Sequence, residues 1–347
     1  MPPKRPKQDL SRFKKDLIEI LSKDALSGFE EEIYQEMLLN IGLLRDERLD
    51  IANLRLLNTA FKELRYAMKI FKPYRGIPKA AVFGSARTPI SHANFKQAAA
   101  FGKSLAKKGW MIITGGAAGI MEAAMVGAGA KNSFGLNILL PFEQHANLTI
   151  TGNEKLIFFK YFFTRKLMFL KESDATVLFP GGFGTFDEGF ESFTLVQTGK
   201  AKPRPLVLVD PPRSQYWRST MRLLKNNMEH NKLISPEDMS LIRHFQDAEA
   251  ASNEVTHFYF NYHSSRFLKD QYLIRLRQPI SDATLKKISI SFKDILSKGG
   301  FERFTDIQDD DMQDPALERI VFYFNRMSYS RLRQLIDHLN LIAVKNV

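Results

Sequence analysis

From Ala80 onward the chain alternates short, wholly apolar runs with helical stretches, and most of the runs end in a turn of small residues. KAAVFGSA enters a Gly-Ser turn, WMIITGG ends on a glycine pair, and SFGLNILLPF, ATVLFPGG and PLVLVD follow. Between them, SHANFKQAAAFGKSLAKK, GIMEAAMVGAGA, YFFTRKLMFLKE and TFDEGFESFTLVQTG have helical character. Strands without a polar side must be covered on both faces, which a parallel sheet with crossover helices achieves. The pattern predicts a doubly wound, Rossmann-like α/β domain over about residues 78 to 230.

The flanks read differently. Residues 1–77 comprise a basic tail (MPPKRPKQDLSRFKK) and a helical arm over 8–73, with Leu and Ile at three- and four-residue spacing and Asp24 and Ser27 as N-cap candidates. The arm could serve as a lid or an oligomerisation element, but a helical layer packed on the next domain is the expected reading. Residues 231–347 read as a helical connection to about 265, followed by a small α+β module in the order β-α-β-β-α. Its strands are expected in DQYLIRLRQPI, near Phe301–Thr305 and in ALERIVFYFN, with an acidic turn (DIQDDDMQD) before the last. Its helices are SDATLKKISISFKDILSKG and MSYSRLRQLIDHLNLI.

Composition narrows the chemistry. The chain has no cysteine, which removes disulfides, thiolate metal sites and cysteine nucleophiles, and its seven histidines are scattered. No metal and no cofactor are expected. Lys+Arg 50 against Asp+Glu 38 gives +12, a sign that favours anionic partners. The basic residues are dispersed and no recognition motif is visible, so nucleic acid is not the expected partner. The basic tail lacks the apolar core of a signal peptide, and no apolar run reaches the 18 residues of a membrane span. A cytoplasmic protein without a membrane partner is expected.

In a doubly wound sheet ligands bind at the carboxyl ends of the strands. Three glycine-bearing turns fall there: Gly84-Ser85-Ala86-Arg87, Gly115-Gly116-Ala117-Ala118-Gly119 and Pro180-Gly181-Gly182-Phe183-Gly184-Thr185. Each leads into a helix, whose N-terminus offers unpaired N–H groups and a partial positive charge. Together they suit a nucleotide or a sugar phosphate. Neither a GxGxxG fingerprint nor a P-loop is present. The third turn also carries acids: Asp187 and Glu188 in the first helical turn and Glu191 on the face of Glu188. Such a carboxylate is either functional or a helix cap. Arg165-Lys166 lies upstream, either a site pair or a solvated basic face.

PGGFGTFDE fits PGGxGTxxE, and together with the Arg-Lys pair ahead of it resembles the signature of the LONELY GUY (LOG) phosphoribohydrolase family, many of whose members were labelled lysine decarboxylase-like. GSARTP, the GGAAGIMEAA turn and LPFEQ (140–144) are similar to the longer bacterial members, and NYHSSR and FNRMSYSRLRQLIDHLN resemble their appended module. Ala117 and Ala118 stand where that turn commonly has Gly-Pro. The resemblance implies hydrolysis of the N-glycosidic bond of nucleoside 5′-monophosphates, AMP or N6-modified AMP, to free base and ribose 5-phosphate. It implies Arg165 and Glu188 as catalytic residues. Phosphate and ribose contacts would come from Gly84, Ser85, Gly115, Gly116, Gly119, Lys166, Pro180, Gly181, Gly182, Gly184, Thr185 and Glu191. The alternative is a Rossmann-like carrier or sensor that binds a nucleotide or cofactor without turning it over. A true lysine decarboxylase is not expected, since nothing marks a pyridoxal-phosphate lysine. Phenylalanines crowd FFKYFF and FGTFDEGFESF beyond what one helix face buries under a sheet, so a homo-oligomer, a dimer or larger, is expected.

Overall fold

A computed structural model describes residues 28–140, 145–306, 310, 312 and 314–345. The basic tail, the cap candidates Asp24 and Ser27, residues 141–144 of the LPFEQ segment and part of the acidic turn lie outside the described residues. The chain divides into two units, one ending at Thr59 and one beginning at Ala60. The first holds α1 (Gly28–Asp46) and the start of α2 (Ile51–Phe71). Asp50 opens α2, its carboxylate accepting the Asn53 N–H at 2.9 Å.

The second unit is built on seven parallel strands in the order β4-β3-β2-β1-β5-β6-β7. They are β1 (Lys79–Phe83), β2 (Met111–Thr114), β3 (Ser133–Ile138), β4 (Leu156–Phe159), β5 (Ala175–Leu178), β6 (Leu206–Val209) and β7 (Ile242–Phe245). The doubly wound class expected from the apolar runs is the one observed. Alternate residues of β1 serve the two faces. Ala80 and Val82 join Val177, Val207 and Val209 under α3 (Ala93–Lys107), α4 (Ile120–Ala128) and α8 (Ala248–His257). Ala81 and Phe83 join Ile113, Leu136, Leu178 and Leu208 on the face of α5 (Phe162–Lys171) and α7 (Tyr216–Leu224), onto which α6 (Phe183–Gln197) also packs.

Two boundaries differ from expectation. The sheet runs past residue 230, because β7 pairs with β6 from Leu206↔Ile242 to Val209↔Phe245 and α8 covers it. IRHF lies on a sheet edge, where polar side chains are tolerated and the apolar signal is lost. At the other end, the last turns of α2, before residue 78, already pack on the sheet, as a helical layer would. Ala67 and Phe71 are buried, and the Phe71 ring stacks on Phe134 at 4.3 Å.

Helices α3 and α4 approach through glycines. A methyl group on Gly127 would lie 1.9 Å from the Ala99 carbonyl oxygen, and one on Gly102 would lie 2.2 Å from that of Ala124. Gly127→Val should therefore force the helices apart and destabilise the protein by about 3 kcal/mol or more. Thermal unfolding followed by circular dichroism would show it as a fall in Tm of several degrees.

A four-stranded antiparallel sheet, β10-β11-β9-β8, completes the chain. Its strands are β8 (Tyr262–Leu268), β9 (Gln271–Leu276), β10 (Leu296–Arg303) and β11 (Glu318–Phe324), with α9 (Asp282–Ser291) and α10 (Tyr329–Lys345). The order is β-β-α-β-β-α, one strand more than expected. The polar sequence of β8, YHSSRFL, has no apolar run to mark it. The Tyr259 hydroxyl donates to the Asp174 carbonyl at 2.7 Å, and Arg333 pairs with Glu254 at 2.7 Å, tying the module to the large sheet.

Candidate functional site

β1 lies between β2, which leads to one edge of the sheet, and β5, which leads to the other. A crevice opens where such a strand order reverses, at the carboxyl ends of the two strands. The glycine turns interlock around it. The Ser85 N–H donates to the Pro180 carbonyl at 3.1 Å, and the Ile120 N–H to the Ser85 carbonyl at 3.0 Å. Gly119, at φ +70°, packs so tightly that a Cβ would lie 2.3 Å from the Ser85 oxygen. On Gly181 a Cβ would meet the Thr185 hydroxyl at 2.1 Å. Both positions need glycine for close approach, and Gly119 also for its backbone angle.

Helix α6 begins at Phe183, directly after this turn. The N–H groups of Thr185 and Phe186 fold back on the Gly182 carbonyl at 3.0 and 3.2 Å. Those of Phe183 and Gly184 open the helix, with no carbonyl one turn earlier to accept from them. With the helix dipole they form an anion-binding end on a helix of 15 residues.

The next turn of α6 delivers Glu188, which is 6% exposed. Helix α5 delivers its partners. Arg165 Nη2 lies 3.8 Å from one Glu188 oxygen and Lys166 Nζ 3.6 Å from the other. Lys166 also pairs with Asp187 at 2.8 Å and with Glu191 at 2.7 Å. Burial pushes the Glu188 carboxyl above the ordinary glutamate range, against the pull of Lys166 and Arg165. Burial also raises Glu191. Burial works against the charge of Lys166, but its bond to Asp187 and the neighbouring carboxylates outweigh that and raise its pKa. The Arg165 guanidinium stacks over Phe162 at 4.9 Å and Phe169 at 5.8 Å, and its buried Nε makes no hydrogen bond within the protein.

A cavity of about 640 Å³ occupies the crevice. Of the residues singled out in the sequence, Gly84, Ser85, Gly115, Arg165, Gly182, Gly184, Thr185 and Glu188 line it together. Pro180 and Gly181 line a shallower neighbour beside Ser85. Gly116 and Gly119 are not among the lining residues and act behind the wall. Gly116 is pinned through its carbonyl, which accepts from the Asn147 side chain at 3.0 Å. Lys166 and Glu191 also stand outside the lining, holding Glu188 and one another. Among the described residues no cluster of three or more His, Asp or Glu could hold a metal ion. No helix among them is long and apolar enough to cross a membrane.

A protein-family model described as "possible lysine decarboxylase" matches residues 119–255. The cytokinin riboside 5′-monophosphate phosphoribohydrolase of Mycobacterium tuberculosis is 29% identical over 127 residues, 36% of this chain and 67% of that protein. The family-model match spans the PGGFGTFDE segment that resembles the LONELY GUY signature. Among solved structures, the molybdenum cofactor binding protein of Rippkaea orientalis aligns with 22% identity and a TM-score of 0.33, over 44% of this chain and 87% of that one. The molybdenum cofactor carrier protein of Chlamydomonas reinhardtii aligns with 18% identity and a TM-score of 0.34, over 52% and 96%.

Beyond the LOG motif, three supporting residues carry no sequence signal. Glu63, on α2, accepts from the Lys160 N–H at 2.7 Å and the Thr164 hydroxyl at 2.6 Å. It thereby ties α2 to the start of α5, the helix that carries Arg165. Tyr216 donates its hydroxyl to the Gly181 carbonyl, bracing the third glycine turn. Asn147 does the same for the second through Gly116 and Ala117. Each acts across a distance in sequence that spacing cannot reveal. Arg87, exposed and lining the cavity, could have been found, since it is the last residue of the first glycine turn.

Proposed function

We propose that this protein hydrolyses the N-glycosidic bond of nucleoside 5′-monophosphates, AMP or N6-modified AMP, releasing free base and ribose 5-phosphate. The observation that carries the reading is the buried Glu188 carboxylate, held between Arg165 and Lys166 a turn and a half from the anion-binding end of the same helix. The name of the mycobacterial relative supports it.

The chemistry follows from that arrangement. The 5′-phosphate sits at the start of α6, which sets C1′ of the ribose near Glu188. Breaking the bond from C1′ to the base nitrogen leaves positive charge on the ribose, and the Glu188 carboxylate stabilises it and orients a water. The water adds its hydroxyl to C1′, and the departing base nitrogen gains a proton. Arg165, with a donor still unpaired at Nε, binds the phosphate or a ribose oxygen by charge-assisted bonds. Lys166 keeps Glu188, Asp187 and Glu191 from repelling one another.

Incubation of the purified protein with a panel of nucleoside monophosphates, with released base followed by chromatography, tests the proposal. Free base from at least one of them is expected. Tight binding of a monophosphate without release of base would instead make the protein a carrier or sensor.

The same reading includes a homo-oligomer. Phe158, Phe162, Phe163 and Phe183 lie on or beside the two site helices and are 49–95% exposed. Clustered aromatics of this kind mark association surfaces. Light scattering at micromolar concentration should give at least twice the 39.8 kDa of one chain. A monomer mass would refute this.

A further inference from the structure

The cavity has a second end. Helix α6 follows β5, and the strand order β5-β1-β2-β3 puts the carboxyl end of β3 three strands away. At about 4.8 Å per strand, that is on the order of 14 Å from the anion-binding end. The residues contributed there by β2, α4 and β3 are Gly115, Met121, Asn137, Ile138 and Leu140. Among these, Asn137 alone has a polar side chain capable of both donating and accepting hydrogen bonds. It is 2% exposed, and its Nδ2 makes no hydrogen bond within the protein. Buried amides are nearly always partnered, so one left unpaired in the wall of a cavity needs a reason.

We propose that Asn137 reads the nucleobase, pairing its carboxamide with the N7 and N6 edge of a 6-aminopurine. The inference rests on the nucleotide reading of the site. A nucleotide with its phosphate at α6 and its ribose beside Glu188 extends its base toward β3, between the apolar side chains of Met121, Ile138 and Leu140. A carboxamide presents a donor and an acceptor in one fork, and a half-turn about its last bond exchanges them. Adenine offers the complementary pair on one edge, an acceptor at N7 and a donor at N6. One N6–H survives alkylation, so N6-modified adenines keep the match. A 6-oxopurine offers two acceptors and leaves the carboxamide oxygen unpaired.

Calorimetric binding to Glu188→Gln, in which turnover is expected to be slow, tests this with AMP, 7-deaza-AMP and IMP. AMP should bind about tenfold or more tightly than either analogue. Adding Asn137→Leu should reduce AMP to the level of 7-deaza-AMP and abolish the difference. Adding Asn137→Asp, an isosteric change, should cost AMP affinity in the same direction. Equal binding of the three nucleotides with Asn137 intact would overturn the inference, and needs no substitution in β3 that might unfold the protein. So would a difference that persists in a folded Asn137→Leu protein. Turnover is scored separately on the unaltered protein. AMP binding that depends on Asn137, without release of adenine, would defeat the hydrolase reading and leave the base contact standing. Release of another base, with no affinity for AMP, would do the reverse.

Discussion

Glu188→Gln should lower kcat/KM for a nucleoside monophosphate by about 10²-fold or more, a loss of roughly 2.7 kcal/mol of transition-state stabilisation. The substitution keeps size and shape, turns one acceptor oxygen into a donor, and removes the charge that on the proposed reading faces the developing ribosyl cation. Arg165→Ala should cost a similar factor, though it also strips the guanidinium from between Phe162 and Phe169. Arg165→Lys, which keeps the charge and loses the planar fork, separates the two contributions. The pH profile supplies an independent readout. The proposed reaction needs the Glu188 carboxylate ionised, and burial holds its pKa above the ordinary range. The acid limb of the kcat/KM profile should therefore lie above that of a solvent-exposed glutamate, and should vanish in Glu188→Gln.

Stability should move the opposite way. A carboxyl whose pKa is raised by folding binds its proton more tightly in the folded chain than in the unfolded one. The folded protein therefore loses stability as pH rises through that raised pKa. Glu188→Gln escapes the loss, so its Tm should equal or exceed that of the unaltered protein at neutral pH, with the gap closing in acid. A substitution that costs both activity and several degrees of Tm at neutral pH would return Glu188 to a structural role.

Nucleosides lacking the 5′-phosphate should be cleaved about 10²-fold or more slowly, in kcat/KM, than the matching monophosphates. On the proposed reading the phosphate is the group of the substrate that meets the open N–H groups and positive dipole end of α6, where charge-assisted bonds would contribute roughly 1.5–3 kcal/mol each. Two such bonds already account for the factor. Thr185, 5% exposed at the same end with its N–H turned onto Gly182, offers a side-chain hydroxyl to the phosphate or to its own loop. Comparable rates for nucleoside and monophosphate would remove the phosphate from the recognition of substrate.

The apolar runs determined the parallel sheet because strands such as Ala80–Phe83 and Leu206–Val209 are covered on both faces and leave no room for a polar residue. Glycine turns at the ends of three of those runs placed the crevice, and PGGFGTFDE named its acid. Edge strands escaped that reading. IRHF and YHSSRFL meet solvent on part of their surface, so their side chains carry no continuous apolar signal. Everything that holds the site in place also came from tertiary structure. Glu63 meets Thr164, Tyr216 meets Gly181 and Asn147 meets Gly116 only because separate helices and loops converge on the strand ends. The same packing decided that Lys166 and Glu191 stand behind Glu188 rather than in the cavity, and that Asn137 lines it while its buried amide nitrogen has no partner within the protein. A local sequence pattern reports which face of an element is apolar. Which polar side chains meet across the fold, and which are left without a partner, is set by how the elements pack.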